Sequence, residues 1–432
     1  MEKISVNALV DSYKNDLPRE IQLELAKSIL AGSLSKTEAL REFVEKIDSF
    51  SLSRQKRVIN CTGTLLHTNL GRAQSRMSFS GHATNVEYDL EKQERGIRNN
   101  FLTSSMNILL NSEDVCFVNN NASSLFLTLQ ALKKENKIDA VIISRGEIIE
   151  IGGSYRLPEI IQETGMKLVE VGTTNKTHTK DYKKALKENP NSLILKVHRS
   201  NFSLSGFVEE VSIKELKIIA DEFNVLLIHD LGSGLVIDRK FLEMQNIPYF
   251  DKEMSVQESL KDGSDIVMFS GDKLFGSIQS GIIAGSKDII TKIKNYPLFR
   301  TFRCSPVVTY ELQKTTELYL SKNEKNIPFW SFLSTSRQEL DERVQNVSKQ
   351  ITLEHSIIED FSLIGGGSMP DVKIPSSVIS VNDKVSREAS LETLSLTEIT
   401  EDGIFTSGML PPPISEKSSI IECSRVICFE TF

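Results

Sequence analysis

From about residue 113 to residue 285, short apolar runs alternate with amphipathic stretches. DVCFVNN, DAVIISRG, KLVEVG, SLILKVH, VLLIHDLG, DIVMFSG and GIIAGS each have the length of a buried strand. SSLFLTLQALKK, LPEIIQETG, DYKKALKE and IKELKIIADEF lie between them with apolar residues at helical spacing. This alternation predicts an α/β fold with a mainly parallel sheet covered on both faces. Ligands of such sheets bind at the carboxyl ends of the strands, so the residues directly after each run are the ones to inspect.

The rest of the chain is patterned differently. Residues 1–50 read as a small helical N-terminal domain, since IQLELAKSILAG and TEALREFVEKI repeat apolar residues every three or four positions. Ser35 and Thr37 are candidate helix caps there, and Gly32 a candidate stop. Residues 51–90 read as a linker carrying active-site residues, 91–320 as the large domain, and 321–432 as a smaller α+β domain. In that last part QELDERVQNVSKQI is expected to be helical, and SSVISV and RVICFETF are strand-like.

Composition narrows the picture only a little. Across 432 residues, 39% hydrophobic and 25% charged content is ordinary for a globular protein. The first twenty residues lack the apolar core of a secretory signal, and no run reaches the roughly 18 to 20 apolar residues of a membrane span, so a cytoplasmic protein is expected. Cys61, Cys116, Cys304, Cys423 and Cys428 never fall in CxxC spacing, and the six histidines form no HExxH pattern. No metal site is expected. The net charge of −7 argues against a surface that binds nucleic acid everywhere, while leaving room for a local basic groove.

Candidate chemistry sits at the strand ends. DVCFVNNNASS runs from a strand into a helix whose first turn holds Ala122, Ser123 and Ser124, and the unpaired N–H groups of a helix start form an anion site. Asn121 reads either as part of that site or as the helix cap. Asp230 follows four apolar residues, where it is either a turn former before Gly232 or a buried acid facing a protonated ring nitrogen. Lys273 follows DIVMFSGD, three residues after Ser270; a loop lysine is ordinarily solvated, but beside a buried sheet edge it loses its proton more easily and can take up a carbonyl. A helix-start anion site, an acid and a lysine on successive strand ends are together what pyridoxal 5'-phosphate needs for its phosphate, ring nitrogen and aldehyde.

Arginines suggest an anionic substrate. Arg72 closes the turn-like HTNLGRA, and Arg300 and Arg303 stand three apart in LFRTFRC, on one face if helical. The pair reads equally as solvated or domain-bridging, and His67, His198 and His229 read individually as structural histidines.

At this point RVINCTGTLLHTNLGRA, VNNNASS, SRGEIIEIGGSYRLPEII, KLVEVGTTNKTHTKDY, KVHRSNF, DLGSG, SGDKLFGSIQSGII and PLFRTFR resemble, in order and spacing, the bacterial selenocysteine synthases, the L-seryl-tRNA(Sec) selenium transferases. The resemblance implies an aspartate-aminotransferase-like (fold type I) large domain that binds pyridoxal phosphate, and a homo-oligomer, decameric in the family, with sites between subunits. It places Lys273 on the lysine that holds the cofactor, Asp272 beside it, Asp230 on the ring-nitrogen partner, and Arg72, Arg300 and Arg303 on the arginines for the selenium donor, selenophosphate. The implied reaction turns serine on tRNA(Sec) into selenocysteine through an aminoacrylyl intermediate. The N-terminal domain, shortened relative to the family, is the candidate for tRNA binding.

Two other readings remain open on the residues alone. One is a pyridoxal phosphate lyase or transferase acting on a small phosphorylated amino acid or sugar. The other is a non-catalytic tRNA-binding or assembly protein.

Overall fold

A computed structural model describes residues 4–32, 34–55, 60, 63–75, 83–151, 155–199, 204, 206–250, 253–351, 355–365, 372–381 and 425–426. These fall into two compact units, residues 4–55 and the remainder from residue 60 onward.

The first unit is three helices, α1 (Val6–Asp11), α2 (Arg19–Leu30) and α3 (Lys36–Leu52). Ser35 is the cap of α3: its Oγ accepts from the Glu38 N–H while the Glu38 carboxylate accepts from the Ser35 N–H, satisfying two end groups reciprocally. Ala39, Phe43 and Ile47, four apart on α3, pack with Ala26 and Ile29 of α2 and Leu9 and Val10 of α1. The short α1 carries too few turns to show a period in the sequence.

The second unit contains, in chain order, β1 (Thr64–Leu66), α4 (Asn100–Leu110), β2 (Asp114–Val118), α5 (Asn121–Asn136), β3 (Ala140–Ser144), α6 (Leu157–Glu163), β4 (Lys167–Val171), α7 (Thr179–Glu188), β5 (Ser192–Val197), α8 (Ile213–Phe223), β6 (Leu227–Gly232), β7 (Ile266–Ser270) and β8 (Gly281–Gly285). Then follow α9 (Lys287–Asn295), α10 (Pro306–Leu320), α11 (Pro328–Leu333), α12 (Arg337–Ser348), β9 (His355–Gly365), β10 (Lys373–Val381) and β11 (Arg425–Val426). Seven strands form one sheet in the order β2-β8-β7-β6-β5-β3-β4. All run parallel except β8, which is antiparallel to both of its neighbours. The expected α/β class and mainly parallel sheet are what the structure shows, and each of the seven apolar runs supplies one strand.

Burial explains why those runs are continuous rather than alternating. β3, β7 and β8 are buried at every position, because helices cover both faces. One cluster, with Leu125, Leu129 and Ile161, lies on α5 and α6, and another, with Tyr182, Leu186 and Leu216, on α7 and α8.

The C-terminal part forms a four-stranded sheet, β1-β9-β10-β11, in which β1 from the chain's early segment runs parallel to β9. The helix expected near residue 340 is α12, and SSVISV is the end of β10. Of the strand-like RVICFETF, Arg425–Val426 is β11, and residues 427–432 lie outside the described residues. β9 was not apparent in the sequence: its first half is mostly exposed, so HSIIEDF keeps no clean alternation. Among the described residues no helix is long and apolar enough to cross a membrane.

Candidate active site

The parallel arrangement brings Asn120, Asn121, Glu147, His198, Asp230 and Lys273 to one edge of the sheet, because each follows or ends a strand running the same way. The strand ends and the helix start there combine a buried acid, a buried amine and free N–H donors.

At the start of α5 the structure corrects one reading. Asn120, not Asn121, is the cap: its side chain accepts from the Ser123 N–H at 2.8 Å. Asn121 is the first helical residue, and its Nδ2 donates to Asp230 Oδ1 at 2.7 Å. Asn121 and Ala122, in the first turn, have no intrahelical acceptor for their N–H groups. Ser124 is fully buried against β8, where a Cβ on Gly281 would run into Ser124 Oγ and the Asn120 carbonyl. Only glycine lets that strand and helix start approach so closely.

Asp230 ends the regular part of β6, since the pairing with β7 shifts register between Asp230 and Gly232. Burial pushes its carboxyl up to about 6, against the opposing pull of the Asn121 amide, Lys273 and His198. Lys273 is only 7% exposed. Burial, and then the charge of Arg72, lower the pKa of its amine. Ser270, the last residue of β7, and Asp272 are buried beside it.

The lysine's loop is fixed from several sides. The Leu274 N–H donates to the Ser233 carbonyl at 2.9 Å, and the Ser277 N–H to the Gly271 carbonyl at 2.8 Å. Tyr319 Oη donates to the Phe275 carbonyl at 2.9 Å and accepts from Trp330 Nε1 at 2.7 Å. Thr315 Oγ1 donates to Ser277 Oγ at 2.8 Å.

Arg72 reaches this loop from the segment after β1. His67 Nδ1 accepts from the Asn69 N–H, a structural role, and the Arg72 N–H returns to the His67 carbonyl. Gly71 and Arg72 both take left-handed backbone, φ 88° and 61°, which reverses the chain and turns Arg72 onto Asp272. The other two arginines do not share a helical face. The helix Phe299–Phe302 stops before Arg303, which is extended and bridges Val118, while the Asn119 N–H donates to the Phe302 carbonyl. Pairing with the end of β2 therefore outcompetes another helical turn. Arg303 is thereby held at the end of β2, close to the start of α5, and Arg300 is exposed on the short helix.

Sequence reasoning missed two pairs at this edge, each built on a buried glutamate. His198 Nε2 lies 3.0 Å from Glu253 Oε2, and Lys196 Nζ lies 2.5 Å from Glu147 Oε1, whose Oε2 accepts from the Val197 N–H. Burial raises the Glu147 carboxyl. The signal for Glu147 was its place three residues beyond a strand; Glu253 lies in no motif. His229 is a core histidine, Nδ1 at 2.7 Å from Ser259 Oγ, with burial holding its pKa well below the usual value.

This sheet order, with one antiparallel strand and the amine and acid on adjacent strand ends, defines an aspartate-aminotransferase-like, fold type I enzyme. The solved structure of D-glucosaminate-6-phosphate ammonia-lyase shares the fold at a TM-score of 0.52 and 16% identity, over 79% of this chain and 86% of that one. The SelA family model, described as L-seryl-tRNA selenium transferase, matches residues 58–403. An L-seryl-tRNA(Sec) selenium transferase from Campylobacter lari is 37% identical over 398 residues, 88% of this chain and 87% of its own. One from Mannheimia succiniciproducens is 41% identical over 349 residues, 77% and 73% of the two chains. The chain belongs to the L-seryl-tRNA selenium transferase family.

Proposed function

We propose that the protein converts serine carried on tRNA(Sec) to selenocysteine, with selenophosphate as selenium donor and pyridoxal 5'-phosphate as cofactor. The observation that carries this reading is the buried Lys273 amine, set between the Arg72–Asp272 pair and the buried Asp230 carboxyl in a chain of this family.

The residues fit the cofactor. A buried acid raised by desolvation gains most from a cationic partner, and a protonated ring nitrogen is one. The buried amine of Lys273 can hold the aldehyde. The first-turn N–H groups of α5 suit the phosphate, with Ser123 and Ser124 in the same turn and Ser270 beside the lysine. Bound there, pyridoxal phosphate supplies an electron sink for negative charge at the serine α-carbon.

The chain's own groups do the rest. Lys273 Nζ, with its proton loosened by burial and Arg72, takes the α-proton. Asp272 orients Arg72 through their ion pair. Arg72 and Arg303, with Arg300 at the rim, offset the charge of selenophosphate oxygens, guanidinium groups being suited to two-pronged oxyanion contacts. Low exposure of Lys273, Asp230 and Ser270 keeps water from the reacting atoms.

The same reading makes the protein a cytoplasmic homo-oligomer, at least a dimer, with the N-terminal helical unit as the tRNA grip. Support for self-association comes from Ile97, Phe101 and Ile108, each more than half exposed, the last two seven residues apart on α4.

The test is a titration of the cofactor-loaded protein with seryl-tRNA(Sec) and, in parallel, with free serine, following the absorbance of bound cofactor. A change with the charged tRNA alone is the expected result. A response to neither, with the cofactor firmly bound, would overturn the substrate assignment.

A further inference from the structure

Asn121 is half-buried, with a single side-chain bond. Its Nδ2 donates to Asp230 Oδ1 at 2.7 Å across 109 residues of sequence, while its Oδ1 is buried with no hydrogen-bond partner among the described residues. Packing has not been arranged to satisfy this amide, and the helix cap next to it is supplied by Asn120. What fixes Asn121 is Asp230.

The groups around Asp230 come from four elements. Asn121 faces it from α5, His198 from the end of β5, Lys273 from the loop after β7, and the Gly232 N–H from its own strand. The His198 N–H donates to the Asp230 carbonyl, so it fixes the backbone, and the His198 side chain is engaged with Glu253. Of these four, Asn121 is the neutral side-chain donor that binds the carboxylate, and a neutral donor favours the ionised form without adding a charge that competes with a cation.

We propose that Asn121 is a positioning residue for Asp230: by donating to Oδ1 it holds the carboxylate ionised and in one rotamer, leaving the second oxygen for a cationic ring nitrogen. The identity of that cation rests on the cofactor reading above. The Asn121–Asp230 contact does not. Asparagine suits the task because its amide is short, rigidly placed by the helix start, and matched in shape by two informative replacements, leucine without polar atoms and aspartate without the donor.

The experiment is a carboxyl titration of the apoprotein labelled with 13C-carboxyl aspartate, with the Asp230 signal assigned by its loss in Asp230→Asn. In Asn121→Leu the proton affinity of Asp230 is expected to rise about tenfold or more, the loss of one hydrogen bond to a charged group. In Asn121→Asp it is expected to rise further, because two adjacent carboxylates cannot both ionise freely. In the loaded protein, the 15N shift of ring-labelled pyridoxal phosphate should move from protonated toward neutral in Asn121→Leu at a pH where the wild type stays protonated. Unchanged Asp230 midpoints in variants with wild-type circular dichroism would overturn the proposal. If Asn121→Leu does not fold, the isosteric Asn121→Asp decides alone. Failure of the protein to take up ring-labelled cofactor would count against the cofactor reading, whereas the apoprotein titration would still answer for Asn121.

Discussion

Arg72 Nη1 lies 3.1 Å from Asp272 Oδ2, two hundred residues away, and the neighbouring Ala73 N–H donates to the Asp272 carbonyl at 3.1 Å. The early segment is thus tied twice to the lysine's own loop. After burial, Arg72 is the largest influence lowering the pKa of the Lys273 amine. Arg72→Ala should therefore move the basic group in the pH–rate profile to higher pH and lower kcat/KM by about tenfold or more, the scale of one charge-assisted contact. An unshifted profile with normal selenophosphate affinity would remove Arg72 from the site.

Lys273→Ala removes the amine proposed to hold the cofactor. Borohydride reduction followed by peptide mass spectrometry should label Lys273 in the wild type and label nothing in the variant, and turnover should be abolished. A labelled peptide that maps to another lysine would relocate the site.

The sign of the pH dependence at Asp230 follows from burial. Its carboxyl is raised from 3.8 to about 6 in the folded protein. Between about pH 4 and pH 6 Asp230 holds a proton in the folded apoprotein that it has released in the unfolded chain, so its own contribution to stability falls as pH rises through that window. The loss is on the order of 3 kcal/mol when complete. In urea denaturation the Asp230→Asn curve should rise more, or fall less, than the wild type's over this window, and cofactor binding should offset the loss in the wild type. A variant curve with the same slope as the wild type between those pH values would contradict the burial argument.

Gly281→Ala places a methyl group against Ser124 Oγ and the Asn120 carbonyl. The backbone carbonyl cannot move without disturbing the cap of α5, so a stability loss of about 1–3 kcal/mol is expected, together with weaker cofactor binding. Denaturant titration and fluorescence-detected cofactor binding measure the two effects. Full stability with normal affinity would show that the helix start shifts freely.

Much of this was legible in the chain. Strands such as AVIIS and IVMFS are buried on both faces, so their apolar character shows without knowing their partners. Lys273, Asp230 and the helix start could be picked out because each directly follows such a run. What could not be read was which atom meets which. The three asparagines 119–121 are chemically identical in sequence, and only the helix register makes Asn120 the cap and turns Asn121 to Asp230. Arg300 and Arg303 have helical spacing, but the bridge from Arg303 to Val118 is a tertiary choice. β9 depends on its pairing with β10 more than on its own pattern.

The fastened loop around Lys273 has a consequence for timing. With its backbone held by Ser233, Tyr319 and Thr315 through direct or relayed bonds, the loop gives the amine a fixed pivot. In the proposed mechanism the substrate's amine displaces Lys273 from the carbonyl, and the freed amine then reaches the proton by rotation about the lysine's own side-chain bonds, with no backbone movement. Rotamer changes of that kind belong to the picosecond-to-nanosecond range, loop rearrangements to far slower ones. The turn of the freed side chain is therefore not the slow step of the proposed cycle, and the waiting falls to the amine exchange or to the arrival and departure of the large substrate.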